Sequence, residues 1–111
     1  MNKDELTKFV KSFPDKPGVY LMRDERGEII YVGKAKSLKK RVLSYFRHSG
    51  FASPRLAKLV DSIRDISTMR TESEIEALIL ENRLIKLYQP FFNVDLKMNE
   101  RYAYIKITDE K

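Results

Sequence analysis

Gly18-Val19-Tyr20-Leu21-Met22, then the polar Asp24-Glu25-Arg26-Gly27, then Ile29-Ile30-Tyr31-Val32-Gly33: these three stretches decide the fold of the chain. Two runs rich in β-branched and aromatic residues around a short turn with a glycine predict a β-hairpin. A turn symmetric about Glu25 and Arg26 pairs Arg23 with Glu28. Counting back three residues on each strand then sets Tyr20 opposite Tyr31. Directly opposed residues share a sheet face about 5 Å apart, so this register stands two tyrosines side by side.

Helical signals lie on either side of the hairpin. Asp4 to Phe13 shows helical spacing through Leu6, Phe9 and Val10, and Pro14 stops it. Ser37 suits the N-cap of a helix running to about Arg47, with Leu38, Val42, Tyr45 and Phe46 as its apolar face and Arg41 on the border. Ser53-Pro54 opens another helix, with Leu56, Leu59, Val60 and Ile63 as its stripe. Asp65 to Arg70 reads as a short third strand. Thr71 and Glu74 form a capping box for a helix that ends at Tyr88, before Pro90, and a further strand is expected over Tyr102 to Ile107.

At 111 residues, 42% of them hydrophobic, the chain has enough apolar material for one core and fits a single domain over residues 1–111. It has no cysteine, which excludes disulfides, thiolate metal sites and a cysteine nucleophile. His48, the one histidine, cannot build a multi-histidine zinc site. No apolar run approaches a membrane span and the first residues lack the apolar core of a signal peptide, so a soluble, cytoplasmic protein is expected. Twenty-two Lys and Arg against sixteen Asp and Glu leave a charge of +6, which favours polyanionic partners. Lys34, Lys36, Lys39, Lys40, Arg41 and Arg47 follow one another with no acid between them, interleaved and flanked by Tyr45, Phe46 and Phe51. Such a stripe neutralises phosphates without reading sequence.

Glu81 is the most informative single residue. At about 100° per residue it falls among Ala77, Leu78, Ile85 and Tyr88, away from the polar face around Glu76, Arg83 and Lys86. A carboxylate in apolar company needs a cation. Either a lysine or arginine supplies it in a buried ion pair, or a magnesium or manganese ion does. Tyr20 and Tyr31 also have two readings, as cross-strand packing or as acid–base groups. An unperturbed tyrosine is only about 0.1% phenolate at neutral pH, and the lysines that follow Tyr31 would favour that form. Gly33-Lys34-Ala35-Lys36-Ser37 lacks the upstream glycine and adjacent Lys-Ser/Thr of a nucleotide-binding loop. Pro14-Asp15 with Asp95-Leu96-Lys97 is too widely separated and too common a pattern to carry a nuclease site.

Gly18-Val19-Tyr20, ten intervening residues and Tyr31-Val32-Gly33 resemble the paired motif of the GIY-YIG nucleases, with valine for isoleucine in each half. Gly33-Lys34-Ala35-Lys36-Ser37-Leu38, Arg41-Val42 and Ser44-Tyr45-Phe46 are similar to the N-terminal domain of the UvrC branch. So are Glu76-Ala77-Leu78-Ile79-Leu80-Glu81-Asn82-Arg83-Leu84-Ile85-Lys86 and Gln89-Pro90-Phe91-Phe92-Asn93-Val94. The resemblance covers about residues 13–108. One departure is Met98-Asn99-Glu100-Arg101, where UvrC-like chains often carry a short acidic-basic run.

The resemblance implies an α+β domain whose small antiparallel sheet, of about three strands, is flanked by helices. It implies a metal-dependent endonuclease with catalytic positions at Tyr20, Tyr31, Lys34, Arg41, Glu81 and Asn93. One tyrosine would activate water while the other positions it or the phosphate, with the two assignments open. Lys34 would hold a phenolate or contact phosphate, Arg41 would stabilise the scissile phosphate, and Asn93 would order the tail of the site. Glu81 would bind one divalent ion, Mg2+ or Mn2+, and Lys36, Lys39, Lys40 and Arg47 would contact DNA. The reaction implied is the 3′ incision of nucleotide excision repair on damaged double-stranded DNA, directed by a UvrB–DNA complex. UvrC-like chains continue into further domains, so a monomeric N-terminal fragment is expected. The rival is a basic nucleic-acid-binding module without catalysis, which leaves the placement of Glu81 and Arg41 to coincidence.

Overall fold

Val19, Tyr20 and Met22 are all less than 2% exposed, although neighbours along a strand point to opposite faces. Their strand must therefore be covered on both sides. The computed structural model, which describes residues 2–47 and 54–94, places it at the centre of the sheet. The elements are α1 (Lys3–Val10), β1 (Gly18–Arg23), β2 (Ile29–Ala35), α2 (Leu38–Arg47), α3 (Pro54–Ser62), β3 (Asp65–Arg70) and α4 (Glu74–Tyr88). The sheet order is β2-β1-β3, antiparallel throughout. Tyr20 and Met22 face a core built with Leu6, Val10, Leu38, Val42, Leu59 and Ile63, from the side of α1, α2 and α3. Val19, Leu21 and Val32 face Ala77 and Leu84 of α4. The expected α+β architecture is present, including the third strand. Among the described residues no helix is long and apolar enough to cross a membrane.

The hairpin register differs from the expectation. Tyr20 lies opposite Gly33, and Tyr31 opposite Met22. Two offsets of one residue produce the slip. The loop between Asp24 and Glu28 holds three residues, not two: Gly27 N–H donates to Asp24 O (3.0 Å) and Gly27 takes a left-handed φ of 81°. Asp24 Oδ1 accepts from the N–H groups of Arg26 and Glu28, which stabilises this longer turn. The second offset is a bulge, since Met22 pairs with Tyr31 but Arg23 with Ile29, leaving Ile30 as the extra residue. From Tyr31 onwards the slip is two, which preserves the face of each side chain; at Ile29, before the bulge, it is one. Both tyrosines remain on one face as diagonal neighbours.

Helix starts follow local chemistry. Asn2 and Glu5 form a reciprocal capping box on α1. Ser37 Oγ accepts from Lys40 N–H at 3.2 Å, as the sequence indicated. Leu38 and Lys39 donate their N–H groups to Lys16 O and Pro14 O, which pins the connection after α1 beneath α2. The cap of α4 is Ser73, accepting from Glu76 N–H, rather than Thr71. Thr71 is held by the sheet instead, its N–H donating to Pro17 O. Gln89 ends α4 in the left-handed region, with its N–H on Ile85 O, directly before Pro90. Ser53 and the strand expected over Tyr102 to Ile107 lie outside the described residues.

Candidate active site

Gly33 explains how the site assembles. A Cβ built there would lie 2.4 Å from both Cζ and Oη of Tyr20, so the phenol occupies the space that any other residue would fill. Lying across β2 in this way, the Tyr20 hydroxyl reaches that of Tyr45 on α2 at 2.8 Å. The rings of Tyr20 and Tyr45 meet edge to face at 5.9 Å, and those of Tyr20 and Tyr31 lie 6.2 Å apart. Arg41, one turn before Tyr45, sets its guanidinium 5.3 Å from the centre of the Tyr45 ring. Tyr20, Tyr31, Tyr45 and Arg41 thus form one cluster drawn from both hairpin strands and α2.

Glu81 enters from α4. It is only 6% exposed, while Asn82 and Arg83 beside it are open to solvent. Its charge acts on Tyr31, whose pKa is raised first by burial, then by Tyr45 and by Glu81, with Arg41 opposing. Burial likewise pushes the Tyr20 phenol well above its usual value, followed by Tyr45 and Tyr31, again against Arg41. The facing phenols, Tyr20 foremost, hold the Arg41 guanidinium charged still more firmly. Both phenols are therefore strongly held protons in the protein alone. Lys34 and Lys36 were expected to favour the phenolate. Lys34 pairs with Val19 and shares the α4 face of the sheet, opposite the phenols, and the cation with a leading effect on both phenols is Arg41.

Asn93 is 1% exposed and spends both ends of its amide on one backbone position. Val32 N–H donates to its Oδ1 at 2.6 Å, and its Nδ2 donates to Val32 O at 2.8 Å. The side chain thus takes the place of a fourth strand along the outer edge of β2, between Tyr31 and Gly33. Of the residues expected to contact phosphate or DNA, Lys34, Lys36, Lys40 and Arg47 are exposed and Lys39 is half-buried. Lys36 pairs with Glu74 at 3.7 Å and Lys40 with Asp15 at 3.9 Å; both pairs are exposed and weak. Tyr45 is the participant that sequence reasoning placed only in the apolar face. A tyrosine on a buried helical face needs a partner for its hydroxyl, and its spacing of four from Arg41 was the available signal.

Residues 16–94 match the model of the UvrC-like GIY-YIG domain. The chain belongs to this family. It is 52% identical over 102 residues to the UvrABC system protein C of Carboxydothermus hydrogenoformans, a match that covers 92% of this chain and 17% of that protein. It is 57% identical over 99 residues to that of Desulforudis audaxviator, covering 89% of this chain and 16% of the relative. The chain thus spans about a sixth of the length of these curated relatives. Among solved structures, it resembles the GIY-YIG N-terminal endonuclease domain of UvrC from Thermotoga maritima, bound to its catalytic divalent cation, magnesium. The TM-score is 0.73 and the identity 34%, over 85% of this chain and all of that one. The same domain has been solved with its divalent cation as Tyr→Phe and Asn→Ala point mutants.

The residues present suit a single Mg2+ or Mn2+ ion. Glu81 is a buried carboxylate, and among the described residues there is no group of three or more His, Cys, Asp or Glu that could hold a metal ion. Magnesium accepts one or two carboxylates and keeps several waters. Glu81 is the residue that would hold it.

Two outcomes follow from the buried phenols. Gly33→Ala should drive the Tyr20 ring off Tyr45 and lower stability by about 1–3 kcal/mol, measured by urea unfolding; a variant as stable as the parent would contradict the packing. Tyr20 and Tyr31 have higher pKa values folded than unfolded, so above about pH 10 the unfolded chain loses protons first. Unfolding free energy should therefore fall as pH rises beyond that point, and less steeply in Tyr31→Phe. Equal slopes for the variant and the parent would contradict the shift.

Proposed function

We infer that this domain hydrolyses a phosphodiester bond of DNA by in-line attack of water, with one divalent ion held on Glu81. The observation that carries this reading is the buried Glu81 carboxylate acting on the half-buried Tyr31 phenol of the Tyr20–Tyr31–Tyr45–Arg41 cluster. A module that only bound nucleic acid would have no use for a buried carboxylate acting on these phenols. Bound there, the ion supplies charge for the leaving oxygen and offsets the Glu81 charge that holds the Tyr31 proton.

Tyr31 is the better general base of the two tyrosines. It is half-buried and feels Glu81, whereas Tyr20 is 1% exposed with its hydroxyl on Tyr45. Tyr31 takes the proton of the attacking water, and Tyr20 and Tyr45 hold the water or phosphate in line. Arg41 stabilises the charge that develops at phosphorus. Lys34, on the α4 face, contacts a phosphate beside the scissile one, and Asn93 keeps β2 in place behind Tyr31. Lys36, Lys39, Lys40 and Arg47 neutralise flanking phosphates. The substrate is damaged double-stranded DNA presented by a UvrB–DNA complex, and the cut is the 3′ incision of nucleotide excision repair.

Glu81→Gln and Tyr31→Phe, each made in the whole repair protein, test the reading in a reconstituted incision assay. Each should lower the rate at least a hundredfold while duplex affinity stays within about twofold of the parent. Incision by both variants at the parent rate would refute a catalytic site.

A further inference from the structure

The hairpin-turn end of the molecule carries a second feature that the chemistry above does not use. A cavity of about 650 Å³ opens there between the turn, the end of α3 and the segment after α4, with Ile30, Phe91 and Phe92 as its apolar part. A second cavity, of about 600 Å³, lies beside it and shares Glu28, Ile30 and Phe91, so the two form one groove with Phe91 as the ridge between them. Phe91 is 65% exposed although its ring is fixed edge to face on Phe92 at 5.0 Å. Tyr88, half exposed, lines the second cavity. A rigid aromatic ridge exposed to water is a feature of interfaces.

The charge around this groove reverses that of the chain. Asp24, Glu25, Glu28 and Asp61 line the first cavity with Arg26 and Arg64, Asp61 being paired with Lys3 at 2.9 Å, whereas the whole chain has twenty-two basic residues to sixteen acidic. Arg26 already faces Asp24 and Glu28, at 3.8 and 3.6 Å. Along β2 the order is groove at Ile29 and Ile30, then Tyr31, then the basic residues from Lys34 onwards. Lys34 lies four positions along the strand from Ile30, roughly 13 Å. The chemistry lies between a basic end that suits phosphate and an acidic, aromatic end that repels it.

We propose that this groove docks a basic, apolar segment of a protein partner in the incision complex, its lysine or arginine set over Phe91 and Tyr88 and paired with Glu28 and Glu25. Cationic side chains are drawn both to aromatic faces and to carboxylates, and a partner held at this end leaves the Lys34 end free for DNA. The proposal rests on the repair reading for the identity of the complex, and its test does not depend on catalysis.

The probe is purified UvrB loaded on a damaged duplex, with metal chelated so that no cutting occurs, and binding of the whole repair protein is measured. Phe91→Ala and Glu28→Lys should each weaken that binding at least fivefold, and Glu81→Gln should leave it unchanged. Affinity of Phe91→Ala for naked duplex should match the parent. Parent-like binding by both groove variants would overturn the proposal. So would a loss of naked-duplex affinity in Phe91→Ala, which would make the groove a nucleic-acid surface. A lower melting temperature with unchanged binding would mean that the chain covers its own groove, and a parent dimer dissolved by Phe91→Ala would mean that a second copy does; either overturns it. Loss of incision in Glu81→Gln, read separately, reports on the nuclease reading alone.

Discussion

The packing of Tyr20 across Gly33 is the contact on which the site depends. β1 is the central strand, so its side chains have no free space except what neighbouring strands leave them. By having no side chain at the position opposite, β2 lets a phenol lie flat over its backbone and project its hydroxyl towards α2. That hydroxyl meets Tyr45, and Tyr45 in turn presents its ring to Arg41. Any Cβ at Gly33 would break this chain of contacts at its first link. The glycine is thus a shape requirement of the sheet, not a flexible hinge.

The same architecture explains why the phenols are held protonated. Covering β1 on both faces buries Tyr20 almost completely, and burial disfavours the phenolate. Glu81 adds to the effect of burial at Tyr31, and Arg41 opposes it. The fold therefore holds both phenols protonated. A cation held at Glu81, as proposed, would oppose the effect of that carboxylate on Tyr31. The amide of Asn93 on Val32 holds the outer edge of β2 against this arrangement without adding a charge to it.

Much of this was legible in the sequence, for physical reasons. The continuous apolar run Gly18 to Met22 signalled a strand, and Ser37, Pro54 and Pro90 marked helix limits because each acts within one turn of its own position. Glu81 stood out because one carboxylate fell in an apolar arc of its helix, and the structure buries it. The register was misplaced because the three-residue loop and the bulge at Ile30 depend on Asp24 accepting two N–H groups, a choice among turns that composition does not settle. Lys34 was placed near the phenols by sequence proximity, but strand alternation sends it to the other face. Tyr45 and the amide of Asn93 were hidden because their partners lie 25 and 61 residues away.

The central claim is that Glu81 binds one divalent ion beside Tyr31. Anomalous diffraction from crystals of this chain soaked in manganese tests it most directly. The account predicts one peak roughly 2.0–2.4 Å from the Glu81 carboxylate, facing Tyr31 and Arg41. A carboxylate without a peak, engaged by a lysine or arginine in its place, would contradict it.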